Sequence, residues 1–232
     1  MTLSVPRAGP GELTDELISK AVLRSEVVYR GRVWDVVSER VDLGEAGEVT
    51  RDFVDHPGAV AILALRDDRE QPEILLLQQY RHPIRADEWE LPAGLLDIEG
   101  EEPVIGAARE LAEEADLRAD RWDLLAEQVS SPGGVSEALR VFLARDLTDV
   151  PADERFERTD EEANLVLRWV ALDDAVEAVM AGRLRNATTM IGVLSAARAM
   201  QTGWHSLRDP REPWLSHPRR RLTDSTTTKN KG

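Results

Sequence analysis

The chain has 232 residues, 42% hydrophobic and 31% charged, with a net charge of −15 and no cysteine. That length holds one sizeable core, or a core with a small accessory unit, and the composition is that of a globular chain. The acidic balance speaks against a general nucleic-acid binder, and the cysteine count excludes disulfides and thiolate metal sites.

Residues 1–20 are polar and carry Pro6, Gly9, Pro10 and Gly11, which reads as a flexible arm without a signal-peptide core. No apolar run approaches the roughly 20 residues of a membrane span. Together with the lack of cysteine, this points to the cytoplasm and away from a membrane. From Val22 to Phe53 the pattern turns strand-like: "EVVYRGRVWDVVSERVDL" is rich in Val with Tyr29 and Trp34, and "GEAG" at 44–47 is a turn. A small antiparallel β domain is expected over 21–56. "AVAILAL" (59–65) and "EILLLQQYR" (73–81) are short apolar runs of the kind that form buried central strands. "WELPAGLLD" (89–97) breaks at Pro92 and Gly94, a strand running into a loop.

A helix follows. Glu102 and Pro103 suit its first turn, Val104, Ala108, Leu111 and Ala115 form its apolar stripe, and it should end near Asp116. Two strands are expected around the "SSPGG" loop at 130–134. An acidic loop, "VPADERFERTDEEAN", then leads to the strand "LVLRWVAL" and to two helices, 172–180 and 188–200. A main domain over 57–205 results, in which strands and helices alternate without regular βαβ units. The reading is α/β (α+β), a mixed sheet flanked by helices. Residues 206–232 read as a tail. From His217 onward its Ser/Thr/Lys/Asn content suggests a solvated, disordered end. The four histidines are far apart in sequence and none is assigned a role.

Chemistry concentrates in "ARELAEEADL" (108–117). Glu110, Glu113 and Glu114 lie within about one turn, where like charges repel by a few tenths of a kcal/mol per pair. Either that face is simply solvated or a cation sits on it. Two or three glutamates on a rigid helix suit Mg²⁺, which takes oxygen ligands and keeps several waters.

The longer stretch "GLLDIEGEEPVIGAARELAEEADL" (94–117) resembles the Nudix box, with Glu101, Arg109, Glu110, Glu113 and Glu114 in register. It departs twice. Six residues separate Gly94 from Glu101 where the box has five, and Asp116 stands where the box has a glycine, a place of expected positive φ. "QQYRHP", "WELPAG" and "SPGGVSE", with Pro132, are similar to the ADP-ribose pyrophosphatase subgroup, as is the C-terminal half as far as Met200.

The resemblance implies a Nudix αβα sandwich, an N-terminal β domain that swaps between subunits of a homodimer, and Mg²⁺-dependent cleavage of ADP-ribose to AMP and ribose 5-phosphate. Mn²⁺ is a possible substitute. It implies Glu110, Glu114, Glu113 and the Ala93 carbonyl as metal ligands, and Arg109 as the partner of a box carboxylate such as Glu101 or Glu114. Arg81 would contact the diphosphate, Glu137 the substrate or its own loop, and Arg51 the nucleotide across the dimer. Trp34 would stack on adenine or pack locally. Glu161 or Glu162 would activate the attacking water, and spacing does not separate them. Another nucleoside diphosphate derivative as substrate, or a non-catalytic ADP-ribose sensor, are the rival expectations.

Overall fold

The computed structural model describes residues 4–158 and 165–220. Among the described residues, ten strands and three α-helices follow in order: β1 (Ala21–Arg30), β2 (Asp35–Asp42), β3 (Glu48–Asp55), β4 (Ala59–Arg66), β5 (Glu73–Arg81), β6 (Ala86–Glu90), β7 (Ala93–Leu95), α1 (Pro103–Ala115), β8 (Leu117–Val129), β9 (Ala138–Asp149), β10 (Val166–Ala171), α2 (Leu172–Met180) and α3 (Ala187–Gln201). β1, β2 and β3 form a separate antiparallel sheet. The larger sheet runs β10-β5-β4-β9-β8, with β6 paired to β5 and β7 to β4. Its β4–β9 pair is parallel and the other pairs are antiparallel, so the sheet is mixed, as expected.

β4 explains the layering. Side chains alternate across a strand, so an unbroken apolar run needs cover on both faces. Ala61, Leu63 and Leu65 pack with Leu172, Ala175 and Val179 of α2 and with Val193 and Ala196 of α3. Val60, Ile62 and Ala64 pack on the other face, with Val104, Ala107, Leu111 and Ala115 of α1. Helices thus cover both faces, an αβα sandwich. Ile62, Leu63 and Leu65 are at most 1% exposed, and each such side chain contributes about 1.5–3 kcal/mol of burial.

Two expectations need correction. The buried stripe of α1 passes through Ala107, while Ala108 is only half-buried. At about 100° per residue, 107 and 114 lie about 60° and 80° to one side of 104 and 108 about 40° to the other, so the buried arc of α1 is displaced toward the 107 side. The segment after 205 is no loose tail as far as residue 220. Leu124 and Arg208 exchange backbone hydrogen bonds of 2.9 and 3.1 Å, and Trp214 and His217 are buried. The imidazole of His217 donates to the Pro57 carbonyl from Nε2 at 3.0 Å and accepts the Arg220 N–H at Nδ1. Arg219 grips Asp55 and Arg220 reaches the Glu101 carbonyl. Gly58, at φ +94°, passes so close that a Cβ there would meet His217 Nε2 at 2.3 Å. The tail's last twelve residues, 221–232, lie outside the described residues. None of the described helices is long and apolar enough to cross a membrane.

Candidate active site

α1 presents its carboxylates from a fixed rod, since Val104, Ala107, Leu111 and Ala115 are buried beneath it. Arg109 sits at the centre of the charged face. Its Nε and Nη2 donate to the two oxygens of Glu101 at 3.2 and 3.1 Å. Its Nη1 donates to Glu110 at 2.7 Å and Glu113 at 3.2 Å. Of the two partners expected, Glu101 takes the bidentate pair. Those hydrogen bonds, before any other cause, raise the pKa of the guanidinium above its ordinary value. Glu114, largely buried, accepts the Ala93 amide at 2.9 Å, which ties α1 to β7.

Gly94 completes the packing. A Cβ there would lie 1.9 Å from Glu110 Cδ, so the backbone at 94 is open to Glu110 only because it lacks a side chain. Gly106 does the same for Glu101, at 2.9 Å from Oε2. Asp116 takes φ 55° and ψ 33° at the helix end, the left-handed conformation expected in place of glycine.

Four glutamates and one arginine carry a formal charge of −3 here. The carboxylates of Glu110, Glu113 and Glu114 are hard oxygen donors, which suits Mg²⁺ by donor chemistry. Among the described residues no three carboxylate or imidazole side chains converge as a ready cage, because Glu101, Glu110 and Glu113 turn toward Arg109.

The remaining candidates fall into separate groups. Arg81, at the end of β5, donates from Nε and Nη2 to Glu90 at 2.9 and 2.6 Å. Glu90 is buried while the Arg81 side chain is 42% exposed, so a hidden carboxylate orients an accessible guanidinium. Glu137 lies 3.5 Å from His56 Nε2. Burial pushes the pKa of His56 down, and its Nδ1 accepts the Gly58 N–H, so the neutral ring carries its proton on Nε2, toward Glu137. Trp34, 45% exposed, leans over His56 with ring centroids 5.4 Å apart. The loop bearing Glu137 is tied to β3: the Val54 N–H donates to the Gly134 carbonyl and the Ser136 N–H to that of Val54. Arg51 is exposed on β3 and donates to the Thr50 carbonyl. Glu161 and Glu162 lie outside the described residues.

Glu90, His56 and Arg158, whose Nε donates to the Glu113 carbonyl, were not singled out from sequence. "WELPAG" contained the one available hint, a glutamate amid apolar letters. His56 and Arg158 find partners about 80 and 45 positions away, beyond any local pattern.

The NUDIX domain family matches residues 55–190. An ADP-ribose pyrophosphatase of Mycobacterium tuberculosis (strain ATCC 25618 / H37Rv) is 38% identical, over 84% of this chain and 91% of that one. One of Bacillus subtilis (strain 168) is 32% identical over 76% and 91%. A solved ADP compounds hydrolase is similar in fold, with a TM-score of 0.66 at 20% identity, covering 82% of this chain and 100% of that chain.

Proposed function

The chain belongs to the Nudix family, and from that premise we propose that it hydrolyses the diphosphate of ADP-ribose to AMP and ribose 5-phosphate with Mg²⁺ as cofactor. The observation that carries this reading is the cluster of box carboxylates around Arg109, in a chain whose relatives bear the name ADP-ribose pyrophosphatase.

Glu110, Glu113, Glu114 and the Ala93 carbonyl would hold Mg²⁺, with Mn²⁺ a substitute; when bound, the cation neutralises charge on the diphosphate. Arg109 sets the orientation of Glu101, Glu110 and Glu113. Arg81, oriented by Glu90, clamps phosphate oxygens, for which a guanidinium has the right fork. Glu162 or Glu161 takes the proton of the attacking water as its oxygen bonds to one phosphorus, while the bond from that phosphorus to the bridging oxygen breaks in line and the other phosphate leaves with that oxygen and the bond's electron pair. Glu137, held by His56, contacts the substrate. Trp34 and, in a homodimer, Arg51 of the partner subunit reach the nucleotide. The homodimer reading is supported by β1, where Val22, Leu23, Val27, Val28 and Tyr29 are 41–65% exposed, an apolar surface that a second copy would cover. A cytoplasmic location belongs to the same reading.

The experiment is a panel of nucleoside diphosphate derivatives with Mg²⁺ and product identification. AMP released from ADP-ribose supports the reading. Preference for another nucleotide sugar or a dinucleotide would move the substrate within the family. Binding of ADP-ribose without turnover would make the chain a sensor.

A further inference from the structure

We propose that Asp116 and Arg158 form a latch that positions the glutamates of the reaction; this rests on the hydrolase reading above. Asp116 ends α1 in the left-handed conformation, which glycine adopts with least strain. Its Oδ2 lies 2.7 Å from Arg158 Nη2, and the two side chains are 20% and 22% exposed. Arg158 Nε donates to the Glu113 carbonyl at 2.9 Å, so a cation meets the negative end of the helix. One backbone bond completes the tie, from the Val150 N–H to the Asp116 carbonyl at 2.8 Å. The chain over 150–158 is thereby fastened to the turn that carries Glu113 and Glu114.

Stability alone does not account for the aspartate. Glycine would cap this helix without the left-handed strain. The ion pair meets without hydrogen-bond alignment, and Asp116 Oδ1 is buried with no hydrogen-bond partner among the described residues. What the carboxylate adds is the hold on Arg158. Glu113 is then gripped from two sides, its carboxylate by Arg109 and its carbonyl by Arg158. One pair of side chains therefore sets the last turn of the carboxylate helix, with Glu113 and Glu114. Asp116 and Arg158 are positioning residues and do not touch the substrate.

The test uses the full chain with Mg²⁺ and ADP-ribose, and compares Asp116→Gly, Arg158→Gln, Arg158→Lys and the Asp116→Gly/Arg158→Gln double variant. Asp116→Gly keeps the thermal midpoint at or above that of the parent, because the backbone strain goes with the carboxylate. Its kcat falls roughly 10- to 100-fold, while KM stays within about twofold. Arg158→Gln behaves alike, the double variant is no worse than either single one, and Arg158→Lys restores part of the rate. Independently of turnover, amide hydrogen exchange over 150–158 rises in Asp116→Gly. Parental kcat in both single variants, a loss confined to KM, or unchanged exchange over 150–158 would each overturn the latch. If the parent chain itself fails to turn over ADP-ribose, it is the hydrolase reading that falls, and the exchange result decides the latch alone.

Discussion

Substituting Gly94 by alanine puts the geometry of the carboxylate helix under direct stress. The new methyl would stand 1.9 Å from Glu110 Cδ, 2.0 Å from Oε1 and 2.4 Å from Cγ. Ordinary contact begins at 3.4 Å, so the carboxyl must retreat by about 1.5 Å. The backbone at 94 is not in the left-handed region, so the perturbation is steric and local. Glu110 has little room to yield: its side chain is 12% exposed and paired with Arg109 at 2.7 Å. Misplacement of a reacting-site group by about 1 Å can cost about 100-fold in rate, so kcat should fall by at least that factor. Overpacking of this kind costs about 1–3 kcal/mol of stability, which leaves the protein folded at 25 °C. The assay is steady-state hydrolysis of ADP-ribose across a Mg²⁺ titration, with a thermal melt on the same sample. A folded Gly94→Ala protein with parental kcat and parental Mg²⁺ requirement would show that the reaction does not need Glu110 held at this position.

Glu114→Gln should lose turnover by about 100-fold or more yet keep its melting temperature within a few degrees, because the amide oxygen still accepts the Ala93 N–H; calorimetric Mg²⁺ binding should weaken in parallel. Arg109→Lys should not rescue Arg109→Ala, since an ammonium cannot make the bidentate pair with Glu101 and also reach Glu110 and Glu113; matching kcat values for Arg109→Lys and the parent would contradict this. Burial holds His217 down at about 4, against 6.5 in the unfolded chain. The unfolded chain thus binds the proton first as pH falls, so this group's stability is present above pH 6.5 and lost between 6.5 and about 4. The gap is worth about 3 kcal/mol. Denaturant unfolding of the parent and of His217→Gln across that range should show the parent's steeper loss, and equal slopes would sink the assignment.

Local pattern carried most of the fold. "AVAILAL" is unbroken because α1 covers one face of β4 and α2 with α3 the other, and that demand is visible in the letters themselves. The register of Glu101, Arg109, Glu110, Glu113 and Glu114 was likewise legible, because one helix face carries most of the site. What escaped reading is non-local. Arg219 holds Asp55 across 164 positions and His217 meets Pro57 across 160, so the basic letters of the C-terminal segment read as solvated when its first part is packed. Glu90 under Arg81 and His56 behind Glu137 escaped for the same reason: a buried partner is chosen by the tertiary fold, and neither periodicity nor spacing encodes it. Asp116 was legible as a departure from the box, but Arg158, its partner in space, was not.

Mg²⁺-dependent cleavage of the ADP-ribose diphosphate is the reaction proposed for the carboxylate helix. Its most direct test is product analysis after incubating the purified chain with ADP-ribose, with and without Mg²⁺. AMP and ribose 5-phosphate are expected in equal amounts, only when the cation is present. Folded protein that binds Mg²⁺ yet releases no AMP would contradict it.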